Sequence, residues 1–106
     1  MNDKVREEVL VLINDYELEC SVEEFKDVID STSWINISSY NVMSEDFIRE
    51  FQDYISWRYI SCSQHLSESF IREFIDKLNF VNLLVYQRLS EEFREELKAL
   101  KAIKEI

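Results

Sequence analysis

The chain contains the segment WRYISCSQHLSESFIREFIDKLN (Trp57–Asn79), which repeats the segment before it, WINISSYNVMSEDFIREFQDYIS (Trp34–Ser56). The two segments carry the same residue at 11 of 23 positions, and a more divergent third copy, FVNLLVYQRLSEEFREELKALKA, follows from Phe80. A fixed period of this length is typical of supersecondary units that each bury one face against a neighbour. The sequence therefore predicts a repeat protein with a period of 23 residues.

The composition favours helices over sheets. The 106 residues are 46% apolar and include neither glycine nor proline. Two-residue β-hairpin turns depend strongly on glycine, and so do phosphate-binding loops. Each copy also places two large apolar residues four positions apart, which puts them on one helical face. These expected core pairs are Phe47 and Phe51, Phe70 and Phe74, and Phe93 and Leu97. We predict an all-α fold of about eight or nine short helices.

Each repeat is expected to contain two helices, each preceded by an N-cap residue. A serine or asparagine side chain at this position accepts a hydrogen bond from a free backbone N–H of the first turn. The predicted caps are Ser33, Ser56 and Asn79 for the first helix of each repeat, and Ser44, Ser67 and Ser90 for the second. Upstream, Asp3 is predicted to cap a helix whose apolar stripe runs from Val5 to Tyr16.

We expect one domain, a compact array of helical hairpins, over residues 1–106. Its predicted segments are an N-terminal helix at 1–19, a degenerate repeat at 20–33 capped by Ser21, repeats at 34–56, 57–79 and 80–97, and a C-terminal helix that extends to about 105. The two terminal helices depart from the repeat pattern. Terminal units that differ from the repeat are expected, because they cover the ends of a stack.

The net charge of −10 is confined to the first half of the chain. Residues 1–33 carry ten acids and three bases, and residues 34–56 carry four acids and one base. Acids and bases balance from residue 57 onward. Direct binding to nucleic acid is disfavoured, since phosphate contacts require a basic surface. The expected partner is a protein with a basic surface, with a homo-oligomer as a further option.

The acidic half and three tyrosines are the candidate partner-binding residues. Tyr40, Tyr54 and Tyr59 differ from their counterparts in the other repeat, whereas packing alone would tend to keep them alike. Exposed tyrosines often anchor protein interfaces; the alternative is partial burial between repeats. The candidate residues are Asp15, Glu17, Glu19, Glu23, Glu24, Asp27, Asp30, Tyr40, Glu45, Asp46, Tyr54 and Tyr59.

Neither catalysis nor a cofactor is expected. Neighbouring carboxylates on a helix diverge by about 100° and do not converge on a substrate. His65 could pair with Cys62, but no third group orients them, and the single histidine and two cysteines cannot supply four zinc ligands. Cys20 and Cys62 are expected to be free thiols. With no apolar run of about 18 residues and no signal peptide, we expect a cytoplasmic protein.

The repeat motif resembles the short helical repeats of large bacteriophages and giant DNA viruses. The residues that carry the resemblance are Trp57, Ile60, Ser61, Gln64, Leu66, Ser67, Glu68, Phe70, Ile71, Arg72, Glu73 and Phe74. They are preceded by Trp34, Ile37, Ser38, Ser44, Glu45, Phe47, Ile48, Arg49, Glu50 and Phe51. Asn41, Arg94 and Leu84 depart from the motif, at its glutamine, isoleucine and serine positions respectively.

The resemblance implies a viral binding scaffold. Small acidic phage proteins include inhibitors of host defence such as anti-CRISPR proteins. The expected function is therefore inhibition of a basic, nucleic-acid-binding host defence protein such as a CRISPR effector, for example by mimicking DNA. The alternative is a structural or adaptor protein of viral assembly or replication, with self-association as one form of it.

Overall fold

The computed structural model describes residues 1–104, and within this range the chain forms eight α-helices and no strand. The all-α prediction is therefore confirmed for the described residues. The helices are α1 (Asp3–Asp15), α2 (Phe25–Val28), α3 (Ser31–Tyr40), α4 (Glu45–Glu50), α5 (Trp57–Ser63), α6 (Glu68–Glu73), α7 (Phe80–Tyr86) and α8 (Glu91–Lys104). The C-terminal end predicted near residue 105 lies outside the described residues.

Internal contacts divide the chain into two compact units. The N-terminal unit is Met1–Ser56 and contains α1 to α4, and the C-terminal unit begins at Trp57 and contains α5 to α8. The boundary falls between the first and second predicted repeats. The organisation as one domain of repeats stays a prediction.

The serine caps of the second helices form as predicted. The Ser44 hydroxyl accepts from the backbone N–H of Phe47 at 3.1 Å, and the Ser67 hydroxyl accepts from that of Phe70 at 3.2 Å. Their backbone angles are nearly the same, with φ −72° and ψ 158° at Ser44 and φ −71° and ψ 154° at Ser67. The side chains of Ser90 and Asn79 accept equivalent hydrogen bonds, each from the backbone N–H of the residue three positions later.

Two predicted caps are wrong. Helix α1 is capped by Asn2, whose side-chain oxygen accepts from the N–H of Val5 at 2.8 Å, so Asp3 lies inside the helix. Helix α3 is capped by Asp30, which accepts from the N–H of Ser33 at 2.8 Å. Asparagine, aspartate and serine are N-cap residues of similar strength, so the earlier residue can cap each helix as well as the predicted one.

The degenerate repeat begins with a reciprocal cap. The Ser21 hydroxyl accepts from the N–H of Glu24 at 3.2 Å, and the Glu24 carboxylate accepts from the N–H of Ser21 at 3.1 Å. This capping box satisfies two backbone donors at once. It precedes only one short helix, α2, whose buried residue is Phe25. Ser21 thus makes the bond expected of a cap, but the α-helix itself begins only at Phe25, with Glu24 at its N-cap position.

The core of the N-terminal unit is aromatic. Phe25, Trp34 and Phe51 contact one another with ring centroids 5.6 Å apart in each pair, and Phe47 lies 4.7 Å from Phe51. Helix α1 packs against α4 and buries its predicted stripe at Val5, Val9 and Leu12. Edge-to-face and tilted ring pairs of this kind stabilise a core beyond their buried area.

The C-terminal unit has the same kind of core around Phe70 and Phe74, whose rings lie 4.7 Å apart. Trp57 lies 5.1 Å from Phe74 but is only half-buried, and the ammonium of Lys77 lies 5.7 Å from its ring. Helix α7 packs against both α5 and α8. All six predicted core positions are buried: Phe47, Phe51, Phe70, Phe74, Phe93 and Leu97.

A buried serine joins the ends of the repeated segment in each unit. The Ser38 hydroxyl accepts from the N–H of Ser56 at 3.0 Å, and the Ser61 hydroxyl accepts from the N–H of Asn79 at 2.9 Å. Leu84 occupies the corresponding position of the third segment and has no hydroxyl. Its carbonyl instead accepts from the Arg94 guanidinium at 2.6 Å.

Candidate protein-binding surface

The boundary between the two units is also a boundary of charge. Residues 1–56 carry fourteen acids and four bases, whereas the residues from Trp57 onward carry eight of each. The whole net charge of −10 therefore belongs to the N-terminal unit. A compact unit with this excess attracts a positively charged surface over distances beyond direct contact.

Three of the candidate acids lie in and beside the connection between α1 and α2. Asp15, Glu17 and Glu19 are exposed, and none of their carboxylates makes a hydrogen bond or ion pair within the described residues. Asp15 ends α1, where the helix dipole disfavours an anion. Glu17 has φ 52°, a left-handed conformation that costs a non-glycine residue about 1–2 kcal/mol. Asp15 and Glu17 thus lower the stability of the fold, and all three carboxylates remain available to a partner.

Glu23 and Glu24 are exposed but already engaged. The Arg6 guanidinium donates to Glu23 at 2.8 Å, and this hydrogen bond lowers the pKa of the Glu23 carboxyl. The backbone N–H of Ser21 in the capping box lowers the pKa of Glu24. Both carboxylates add to the field of the unit, but their first role is local structure.

Asp30 and Asp46 also have partners. Hydrogen bonding from the backbone N–H of Ser33 lowers the pKa of Asp30, which is the cap of α3. Asp46 accepts from the Arg49 guanidinium at 3.0 Å and from the Asn2 amide at 3.3 Å. Of the two remaining acids, Asp27 is exposed and Glu45 is half-buried in the first turn of α4.

The three tyrosines differ in their surroundings. Tyr40 ends α3 and is 83% exposed. Tyr54 stacks on Trp34 at 5.7 Å, so one face of its ring belongs to the packing of the N-terminal unit. Tyr59 is 37% exposed and belongs to the C-terminal unit. Tyr40 is therefore the tyrosine most accessible to a partner.

Sequence reasoning did not single out Val42, which is 97% exposed two residues after Tyr40. It stands at a small cavity of about 130 Å³ whose other lining residues are Glu8, Val11, Leu12, Asn41, Met43 and Phe47. The sequence does contain a sign of this contact. The two other copies of the repeat carry polar residues, His65 and Arg88, at the position of Val42. An apolar residue where the other copies carry polar ones marks a candidate contact.

Tyr16 was also missed as a positioning residue. Its hydroxyl donates to the side-chain oxygen of Asn41 at 3.0 Å, which ties the end of α1 to the loop after α3. Burial raises the pKa of Tyr16, and the charge of Asp15 raises it further. In the sequence Tyr16 continues the apolar stripe of α1, so its polar role was not visible.

Within residues 1–104 no group of three or more His, Cys, Asp or Glu side chains is placed to hold a metal ion. His65 is exposed in the loop before α6, and both cysteines are free thiols. None of the helices described has both the length and the apolar character that a membrane crossing requires. Comparisons with protein-family models, curated proteins and solved structures found no match to this chain.

Proposed function

We propose that this protein is a non-catalytic protein-binding module, and that its N-terminal unit binds a basic protein surface. The observation that supports the proposal is the coincidence of the charge boundary with the boundary between the units. One compact unit holds the entire net charge, and three of its carboxylates have no role in the fold. Charge of this kind raises association rates and selects partners by sign.

Binding proceeds in two stages in this proposal. The field of the N-terminal unit first steers a basic partner toward it. The exposed carboxylates of Asp15, Glu17 and Glu19 then pair with its basic side chains, while Tyr40 and Val42 supply apolar contact area beside them. Apolar and aromatic anchors contribute most of the affinity in such interfaces, and the charges contribute specificity.

The proposed partner is a nucleic-acid-binding protein of a host defence system, such as a CRISPR effector. Such a protein exposes a basic groove, and an acidic unit seated in it would exclude nucleic acid. The choice of a defence protein rests on the resemblance of the repeat to viral repeat proteins. The array of 23-residue hairpins with atypical terminal helices is part of the same proposal, as is a cytoplasmic site of action.

The alternative is a structural or adaptor role in viral assembly or replication. An exposed apolar groove in the C-terminal unit favours it, because such a groove suits a second protein chain.

Capture from an extract of infected cells tests the proposal. Tagged protein is used as bait, and the bound proteins are eluted by increasing salt and identified. We expect a basic nucleic-acid-binding host protein that elutes at moderate salt, because exposed charge pairs are screened. Recovery of viral structural proteins alone would support the adaptor role instead. The tag alone, used as bait, is the control that identifies proteins captured without this protein.

A further inference from the structure

We propose that the protein self-associates head to tail, with the outer face of α1 of one copy docked in a groove between α7 and α8 of the next. The proposal concerns contacts between separate molecules. It is carried by two exposed apolar surfaces of opposite charge. It does not depend on a defence protein as partner, so failure of either proposal would leave the other unaffected.

The receiving surface is a groove of about 400 Å³ in the C-terminal unit. One wall is α7, which contains no charged residue and exposes Val81 and Val85, the latter by 64%. The other wall is α8, which contributes Lys98 and Lys101; the Lys98 ammonium lies 3.3 Å from the Glu95 carboxylate of the same helix. The complete lining is Val81, Leu84, Val85, Lys98, Lys101 and Ala102. The shape and chemistry suit an apolar helix face with carboxylates along one side.

Comparison of the repeats supports an apolar contact here. Val81 and Val85 stand where the second segment has Arg58 and Cys62. Both valines are more than half exposed, so core packing does not account for them. Leu84 replaces the buried serine whose hydroxyl links the ends of the other segments. At Val81 and Val85 this segment thus carries exposed apolar side chains where the second segment has an arginine and a cysteine.

The docking surface is the outer face of α1. Leu10 and Val11 are 53% and 58% exposed, although the opposite face of the same helix is buried. Exposed acids lie along this side, at Asp3 and Glu7 before the apolar pair and at Asp15 after it, together with one exposed base, Lys4. Positions three, four, seven and eight apart share one side of a helix. At about 1.5 Å per residue, the helix is about 20 Å long, enough to lie along the groove.

Charge determines which surfaces meet. An α1 face against a second α1 face would bring acids together, and a groove against a groove would bring lysines together. Only the unlike pair brings carboxylates near Lys98 and Lys101. The contact is therefore heterologous, and each added copy leaves one face and one groove open. A single helix in a shallow groove makes a small interface, so we expect weak association.

The first test is the mass in solution of the full chain as a function of concentration. By sedimentation equilibrium between about 10 µM and 1 mM, a range that detects weak association, we expect the average mass to rise past that of a dimer. Added salt should reduce it, because the charges are exposed. A protein that stays monomeric throughout this range overturns the proposal, and so does a mass that levels off at the dimer.

Two variants test the geometry. The groove variant is Val81→Gln with Val85→Gln, and the helix variant is Leu10→Gln with Val11→Gln. Each alone should be monomeric. Mixed in equal amounts they should form dimers and nothing larger, because the pair retains one intact face and one intact groove. A mixture that stays monomeric, or that grows beyond dimers, overturns the head-to-tail arrangement.

A matched control separates these surfaces from apolar exposure in general. Val28→Gln with Ile35→Gln also replaces two exposed aliphatic residues, both outside the two surfaces. It should associate as the wild-type protein does, and an equal loss in this control contradicts the proposal. Circular dichroism shows whether each variant is folded; if a double variant is not, the single substitutions Val85→Gln and Leu10→Gln replace it and should weaken association at least tenfold.

Discussion

The Ser61 hydroxyl accepts a hydrogen bond from the backbone N–H of Asn79 at 2.9 Å and donates one to the carbonyl of Trp57 at 2.6 Å. One buried side chain thus satisfies groups at the start and the end of the segment Trp57–Asn79. Ser38 makes the same two bonds, with Ser56 and Trp34. The buried serine thus links the same two parts of the segment in both units.

Substitution Ser61→Ala should therefore destabilise the C-terminal unit by about 1–3 kcal/mol, the cost of leaving a partly buried N–H without an acceptor. Urea unfolding followed by circular dichroism measures the change. Ser63→Ala, at an exposed position on the same helix, should change the stability by less than about 0.5 kcal/mol. Equal effects of the two substitutions would show that the buried link does not contribute.

Glu8 and Glu7 form a natural comparison between neighbours. The Glu8 carboxylate accepts from the Ser44 N–H at 3.1 Å and from its hydroxyl at 2.5 Å, holding the start of α4 against α1, whereas Glu7 is exposed. Glu8→Ala should cost about 1–3 kcal/mol of unfolding free energy, and Glu7→Ala should cost less than about 0.5 kcal/mol. The same urea assay decides, and a Glu7 variant as unstable as the Glu8 variant contradicts this assignment.

Phe51 and Phe74 occupy equivalent buried positions in the two units. Phe51→Ala and Phe74→Ala should each destabilise the protein by about 3–5 kcal/mol, by lost transfer energy and a residual cavity. We expect Phe51→Ala to lie at the upper end, because that ring contacts those of Phe25, Trp34 and Phe47. Thermal or urea melts near those of the wild type would contradict the core described.

Acid should weaken the N-terminal unit partly through Glu24. Its pKa is lowered on folding by the Ser21 N–H, so the unfolded chain binds the proton more readily. The stabilisation is present above the unfolded pKa of about 4.3 and is lost as the pH falls through the folded value. Glutamine can still accept the capping bond but does not titrate. Glu24→Gln should therefore lose less stability than the wild type between neutral and strongly acidic pH.

The control for this experiment is Glu19→Gln, which removes a carboxylate that has no partner within the described residues. It should follow the wild-type pH dependence of unfolding. If the Glu24 variant also followed the wild-type pH dependence, Glu24 would make no measurable contribution to the loss of stability in acid.

The repeated helices were predictable because their signals are local. The serine caps at Ser44 and Ser67 and the phenylalanine pairs four residues apart require only helix geometry. The first residues of α1 and α3 were not predictable, because two residues of similar N-cap strength lie within one turn at each start. The pairing of Glu8 with Ser44 spans 36 residues and has no local signature.

The candidate surface was predictable in charge but not in detail. The distribution of acids in the sequence indicated the N-terminal unit. It could not distinguish the carboxylates of Glu17 and Glu19, which have no partner within the described residues, from those of Glu23 and Glu24, which are hydrogen-bonded. That distinction depends on where Arg6 and Ser21 lie in space. The exposure of Val42 likewise follows from the course of the loop after α3.

Charge reversal at the α1–α2 connection tests most directly whether the N-terminal unit is a binding surface. The test variant changes Asp15, Glu17 and Glu19 to lysine, and the matched variant changes Glu91, Glu92 and Glu95 to lysine. Both alter the net charge equally, at exposed positions. The test variant should remain folded, since a lysine suits the C-terminal end of α1 better than an aspartate.

The measurement is the association rate of each variant with the basic protein captured from infected cells, at low and at physiological salt. We predict that the test variant loses at least tenfold in rate, mostly at low salt, while the matched variant stays near the wild type. Equal losses in the two variants would show an effect of overall charge and would contradict an acidic binding surface on the N-terminal unit.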